Sequence, residues 1–371
     1  QAKSMSDAPL SPAFSAPEPL DAATPLAAHV TDALRGVIAA AEITENVDLI
    51  ARILATGVGL GQDDTSRLDL KITSAALTEM RAAFRLFAPY RGIPKVTVFG
   101  SARTRTDDAL YRQAADVASH LAERGWMVVT GAGPGIMQAA AEGAGPDRSL
   151  GVSIRLPFEE KPNGILTDSG RNVAMKYFFT RKLMLVKESQ GFVALPGGVG
   201  TLDEVFELLT LQQTGKAEPQ PIVLLDEPGG TFWSSFLRFV DDALVGSGMV
   251  SPDDFDRVIV TDSVDVAARE ITEFWRNYHS LRWVGDRLVL RLRAQPSDEE
   301  IEALNAEFGY LTTGAGIARS GPLRVEVADD DEVDLPRLVF VADRFRVGSL
   351  FQLIRAVNGL SSAPAGAARI E

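Results

Sequence analysis

Between residues 95 and 278, short apolar runs alternate with segments whose apolar residues recur at helical spacing, and each run stops at glycine or another small residue. Residues 96–100, 126–130, 150–154, 171–175, 191–195, 221–225 and 258–260 read as strands. Helices are expected over 107–124, from Gly135 to about 143, over 177–190, from Thr201 onward, and over 231–244 and 263–278. Such alternation predicts an α/β fold, a doubly wound and mostly parallel sheet. Ligands of such sheets sit beyond the carboxyl ends of the strands. Gly100-Ser101, Gly131 to Gly135 and Gly197 to Gly200 all fall there.

The third of these loops belongs to the run LPGGVGTLDEVFELLTLQQT, residues 195–214. Glycines at a strand-to-helix junction let backbone N–H groups approach an anion, and the helix dipole adds favourable potential, so Gly198, Val199, Gly200 and Thr201 are candidate phosphate contacts. Gly131, Gly133 and Gly135 follow the pattern G-x-G-x-G, but Ile136 stands where a dinucleotide fingerprint has its third glycine. No acidic residue ends the next strand and no G-K-[ST] is present, so neither NAD, FAD nor a P-loop nucleotide is expected. Tight strand-to-helix packing is the alternative role for these glycines. After the first strand, Ser101 and Arg103 offer a hydroxyl and a fork of donors to a phosphate, unless Arg103 is only a solvated rim residue.

Together these motifs resemble the Lonely Guy family, the cytokinin-activating phosphoribohydrolases long described as lysine decarboxylases. Residues 196–204, PGGVGTLDE, look like its P-G-G-x-G-T-x-x-E signature. Thr180-Arg181-Lys182 is similar to its upstream Arg-Lys pair, and residues 131–137, GAGPGIM, to its second glycine loop. The resemblance spans roughly residues 95–278. It implies a Rossmann-like fold and hydrolysis of the N-glycosidic bond of a nucleoside 5′-monophosphate, AMP-like or cytokinin-type, to free base and ribose 5-phosphate. It also implies Arg181 and Glu204 as the catalytic pair, with Lys182, Gly198 to Thr201, Glu159 and Thr210 at substrate-contacting positions. Many members carry Met-His where this chain has Phe178-Phe179, so a contact made by that histidine is absent.

The residue types suit the reaction. Breaking a nucleotide's glycosidic bond develops oxocarbenium character on the ribose and negative charge on the departing base, which call for a carboxylate and a guanidinium respectively. Arg181 stays protonated and is an electrophilic partner rather than a proton donor; Glu204 positions or activates water. Both have ordinary readings too. Thr201 followed by Glu204 has the spacing of a capping box, and Arg181 and Lys182 could be helix-surface charges. A competing class is a non-catalytic nucleotide sensor or cofactor carrier on the same fold, which would not require the Arg181 and Glu204 pair. A decarboxylase needs a Schiff-base lysine in a cofactor pocket, and no lysine has such a context, so no cofactor is expected.

Charge and composition bound the partners. With 50 acidic against 37 basic residues the net charge is −13, which repels polyanions, so nucleic acid is not an expected partner. The chain has no cysteine, and His29, His120 and His279 are far apart, so neither disulfides nor a metal centre is expected. There is no apolar run of membrane-spanning length and no secretion-signal pattern, so a cytoplasmic protein without a membrane partner is expected. By resemblance the partners are a nucleoside monophosphate and further copies of the chain, as a homodimer or higher homo-oligomer.

The expected organisation has four parts. Residues 1–28, rich in Pro, Ala and Ser, read as disordered, and 29–90 as N-terminal helices with a Gly/Asp loop at 57–64. Residues 91–280 form the nucleotide-binding catalytic domain. Residues 281–371 read as a small α+β appendage, with strands at 287–292, 323–327 and 338–341, helices at 297–308 (capped by Ser297) and 349–357, and an acidic turn or solvated loop at 329–332.

Overall fold

The computed structural model describes residues 26–155, 163–343 and 348–365. Most of the segment expected to be disordered, and Glu159, lie outside the described residues. The chain divides into two compact units, one ending at Thr78 and the other running from Glu79. The first contains α1 (Ala28–Ala40), α2 (Val47–Gln62) and the start of α3 (Arg67–Phe87). The loop expected at 57–64 is instead largely helix, because α2 continues through Gln62. Ala51, Leu54, Ala55 and Val58 share its half-buried face at helical spacing, and that pattern prevails over the roughly 1 kcal/mol that each glycine costs in a helix.

In the second unit the chain runs β1 (Lys95–Phe99), α4 (Ala109–Glu123), β2 (Met127–Thr130), α5 (Ile136–Ala144), β3 (Ser149–Ile154), α6 (Gly164–Ser169) and β4 (Asn172–Met175). It continues through α7 (Phe178–Lys187), β5 (Gly191–Ala194), α8 (Val199–Gln213), β6 (Ile222–Leu225), α9 (Phe232–Phe239), β7 (Val258–Thr261) and α10 (Val264–Glu273). The described strands form a seven-stranded sheet in the order β4-β3-β2-β1-β5-β6-β7, and every pairing is parallel. The α/β class and the seven strands read from the sequence are those observed.

Alternation along the strands explains why helices cover both faces. Val96, Val98, Val193, Leu195, Val223 and Leu225 enter one core with α4, α5 and α10. Phe99, Phe192, Ala194, Ile222 and Leu224 enter the other with α7, α8, α9 and the end of α3. Burying each such side chain contributes about 1.5–3 kcal/mol, so the sheet is stable only with both layers in place. Four strands run outward from β1 through β4, and β5 then pairs on the other side of β1. The direction of winding thus reverses between β1 and β5, which places a crevice at their carboxyl ends.

After α10 come β8 (Tyr278–Val284), β9 (Arg287–Leu292), α11 (Asp298–Phe308), β10 (Ala318–Ser320), α12 (Arg324–Asp329), β11 (Arg337–Val341) and α13 (Leu350–Asn358). The second sheet is antiparallel in the order β10-β11-β9-β8. Ser297 caps α11 as expected, with Glu300 completing the capping box. One expectation fails: residues 323–327 lie largely in helix α12. The acidic run does turn, at Asp330, but its carboxylates are paired rather than solvated: Asp329 and Asp331 bind Arg282, and Asp331 also binds Arg291. No described helix is long and apolar enough to cross a membrane.

Candidate active site

Three loops meet at the crevice because their strands are neighbours, β2, β1 and β5. Ser101 ties them together: its N–H donates to the Pro196 carbonyl at 3.2 Å, and its carbonyl accepts from Ile136 N–H at 3.0 Å. This contact requires Gly135, whose φ of +68° lies in the left-handed region and whose Cβ, if present, would overlap the Ser101 carbonyl. Ala132 also sits at φ +59°, a conformation that costs a non-glycine residue on the order of 1 kcal/mol and concentrates at functional loops. Asn163 pins the loop from outside, its backbone N–H donating to Ala132 O at 3.0 Å and its side-chain amide to Gly133 O at 3.3 Å.

The loop after β5 runs directly into α8, whose first intrahelical bond is from Leu202 N–H to Gly198 O. The amides of Val199, Gly200 and Thr201 therefore have no partner within the helix, and Gly198, Val199 and Gly200 are exposed. This start differs from a capping box. Gly198 is the N-cap, no side chain caps the helix, and Thr201 already stands three residues inside it.

Glu204 thus has no capping duty. It lies within the inward stripe of α8, with Thr201, Val205, Leu208, Leu209 and Gln212, and is 7% exposed. Its Oε2 is buried with no hydrogen-bond donor among the described residues. Burial pushes the carboxyl above the usual carboxylate range; the charges of Lys182 and Arg181 oppose that, while Asp203 and Glu207 reinforce it.

Arg181 and Lys182 come from α7. Arg181 Nε donates to Val152 O at 2.8 Å, and Nη2 approaches Gly131 O at 3.5 Å, so the guanidinium lies under the β2 loop. Lys182 Nζ pairs with Asp203 at 2.6 Å and faces Glu207 at 4.0 Å. Burial alone would lower the ammonium, but the Asp203 bond and the charges of Glu204, Asp203 and Glu207 together hold it above its ordinary value.

The structure therefore brings Arg181, Lys182, Glu204 and the three loops to one edge. Ser101 is half-buried and its hydroxyl accepts from the Arg103 N–H at 3.1 Å, while the Arg103 side chain is exposed at the rim. Thr210 is not brought to the crevice. It is exposed, six residues and thus about 120° round the helix from Glu204, and its hydroxyl donates to the Phe206 carbonyl of its own helix. Sequence reasoning missed Asp203 and Glu207 as partners of Lys182, although their spacing of four puts them on one face of a helix.

A family model described as "possible lysine decarboxylase" matches residues 135–271. A cytokinin riboside 5′-monophosphate phosphoribohydrolase of Mycobacterium tuberculosis is 33% identical over 172 residues, spanning 45% of this chain and 88% of that protein. A probable cytokinin riboside 5′-monophosphate phosphoribohydrolase of Oryza sativa subsp. japonica is 32% identical over 173 residues, spanning 46% of this chain and 79% of that protein. Among solved structures, the molybdenum cofactor binding protein of Rippkaea orientalis aligns with a TM-score of 0.34 and 21% identity over 47% of this chain and 93% of its own.

Proposed function

The chain belongs to the Lonely Guy family of nucleotide phosphoribohydrolases, and from that premise we propose that it hydrolyses the N-glycosidic bond of a nucleoside 5′-monophosphate, AMP-like or cytokinin-type, to free base and ribose 5-phosphate. The observation that carries this reading is Glu204: a buried carboxylate with an unpartnered oxygen, inside an otherwise packed helix stripe, under the influence of two cations. A protein that only bound phosphate would gain nothing from burying it, since an isolated buried carboxylate costs stability.

In this reading the amides of Val199, Gly200 and Thr201, with Ser101 and the loop shaped by Gly133 and Gly135, hold the 5′-phosphate, while Gly131 makes room for the Arg181 guanidinium. Arg103 reaches it from the rim, and Lys182 contributes positive charge. Water attacks C1′ as the C1′–N bond breaks and the bonding pair leaves with the base. Glu204 takes the water's proton, which then passes to the base nitrogen, while Arg181 stabilises the negative charge that develops there. The anchored phosphate turns binding into orientation of the ribose over Glu204. The absence of cysteine and a small phosphorylated substrate accord with a cytoplasmic setting.

The test is an assay of the purified protein with AMP and a panel of other nucleoside monophosphates, following free base. Release from at least one is expected; tight binding with no release from any of them would leave a nucleotide sensor or carrier instead.

We also propose that the protein self-associates beside this site. Phe178, Phe179 and Leu183 on α7 are 58%, 56% and 46% exposed, and Val199 at the start of α8 is 86% exposed, an apolar set of the kind that marks an interface. Light scattering is expected to give a dimer or larger species, and Phe179→Glu to shift it toward monomer. A wild-type monomer at micromolar concentration contradicts this.

A further inference from the structure

We propose that Glu79 is a positioning residue for Arg181: its carboxylate caps the helix that carries the arginine and so fixes where the guanidinium points. The inference rests on the role given to Arg181 above.

Helix α7 has no cap of its own. Its N-cap residue, Tyr177, is aromatic and makes no side-chain capping bond. Glu79, from the last turns of α3 and 8% exposed, supplies the missing acceptors across 97 to 101 residues of sequence. It accepts from Lys176 N–H at 2.5 Å, from Tyr177 N–H at 3.5 Å and from the Thr180 hydroxyl at 2.8 Å. Each of these donors is neutral, and among the described residues Glu79 forms no salt bridge. Its charge faces the positive end of the α7 dipole, where an anion is favoured.

The bond to Thr180 connects this cap to the chemistry. Thr180 is fully buried and immediately precedes Arg181, and Arg181 N–H makes the first backbone bond of the helix, to Tyr177 O. The opposite end of α7 is held independently, because Thr97 on β1 donates to Leu185 O at 3.0 Å inside the core. With its far end fixed, the first turn can shift only about that anchor, and Glu79 decides whether it does. A displacement of about 1 Å at a reacting group can lower a rate by as much as a hundredfold. Without Glu79, the Lys176 and Tyr177 amides would lose their acceptor and the buried Thr180 hydroxyl would keep only the Tyr177 carbonyl, at 2.9 Å, so the turn would move to satisfy the two amides.

Steady-state kinetics of Glu79→Ala, Glu79→Gln and Thr180→Val, scaled to the folded fraction, test this. Glu79→Ala is expected to lower kcat by roughly tenfold to a hundredfold with a much smaller change in KM, because the phosphate loops are untouched. Glu79→Gln keeps an acceptor oxygen and is expected to recover to within about fivefold of wild type, the size of a helix-terminus charge effect. Thr180→Val removes only the hydroxyl's bonds, to Glu79 and the Tyr177 carbonyl, and serves as the test should Glu79→Ala fold poorly; it too is expected to lower kcat rather than raise KM. A wild-type kcat in both Glu79→Ala and Thr180→Val overturns the proposal. If the wild-type protein turns over no nucleotide, the functional reading has failed, and the geometric claim is judged alone by a crystal structure of Glu79→Ala or Thr180→Val. Arg181 displaced from the Val152 carbonyl supports it, and Arg181 unmoved overturns it.

Discussion

Glu204→Gln is expected to abolish turnover and to make the protein more stable at neutral pH. Removing a positioned general base lowers rates by on the order of 10²–10⁴-fold, while glutamine keeps the size and shape of the side chain and leaves the phosphate loops intact, so nucleotide binding persists. The stability gain follows from the carboxyl's environment. Burial raises its folded pKa above the ordinary value of 4.5, and Lys182 and Arg181 only partly offset this. The folded state therefore holds the proton more tightly than the unfolded state. The resulting stabilisation is complete below the ordinary carboxylate pKa and is lost as pH rises through the raised folded value, so at neutral pH an ionised Glu204 is a cost. Glutamine removes that cost, an effect of about 0.5–2 kcal/mol, visible as a higher Tm with a weaker pH dependence in that window, where Glu218 and Asp256, also raised by burial, still titrate. The same shift fixes the acid limb of activity, since a base must be ionised to work: kcat/KM of the wild-type protein is expected to rise with pH through an apparent pKa above 4.5. Free base released by Glu204→Gln at the wild-type rate would return the carboxylate to a structural role.

That role was the hardest thing to read from the chain. Thr201 and Glu204 have capping-box spacing, but α8 begins at Val199, three residues earlier than a Thr201 cap would allow. The PGGVG run (residues 196–200) decides this, because the glycines let the helix start with bare amides instead of a side-chain cap. The seven strands were legible since both faces of a doubly wound sheet are buried, and continuous apolar runs bounded by glycine are unambiguous in that setting. The appendage was less so. Leu323-Arg-Val-Glu-Val alternates like a strand, yet Val325 and Val327 point outward while Glu326 is fully buried against Arg291 and Arg337. Period-2 reasoning assumes that the apolar positions are the inward ones, and here a buried ion cluster reverses them. β8 was missed for a related reason: Tyr278-His-Ser-Leu-Arg-Trp-Val mixes polar and apolar residues on both faces, because one edge packs on α13 and Arg282 pairs with Asp329 and Asp331. The Glu79 cap had no local signal at all, since its partners lie about a hundred residues away.

Arg181→Ala and Gly131→Ala are expected to cause similar losses of kcat, on the order of 10²–10³-fold, as for removal of one group that stabilises charge in the transition state. The first deletes the guanidinium. The second displaces it: a methyl group on Gly131 would overlap Arg181 Nη2 and come within 2.8 Å of Met137 Sδ. The thioether can move, but Nε of Arg181 is tied to Val152 O at 2.8 Å, so the guanidinium must give up that bond or swing out of the crevice. Both substitutions leave the α8 amides in place, so KM is expected to change far less than kcat. If Gly131 serves the reaction only by making room for Arg181, the two changes act on one interaction and the double variant is no worse than Arg181→Ala alone. Were the glycine instead needed for approach to the phosphate, as at an anion-binding turn, Gly131→Ala would raise KM and its effect would multiply with that of Arg181→Ala. The double-mutant cycle thus separates the two uses of a residue that pattern matching assigns to phosphate binding, and the overlap with Nη2 favours the first.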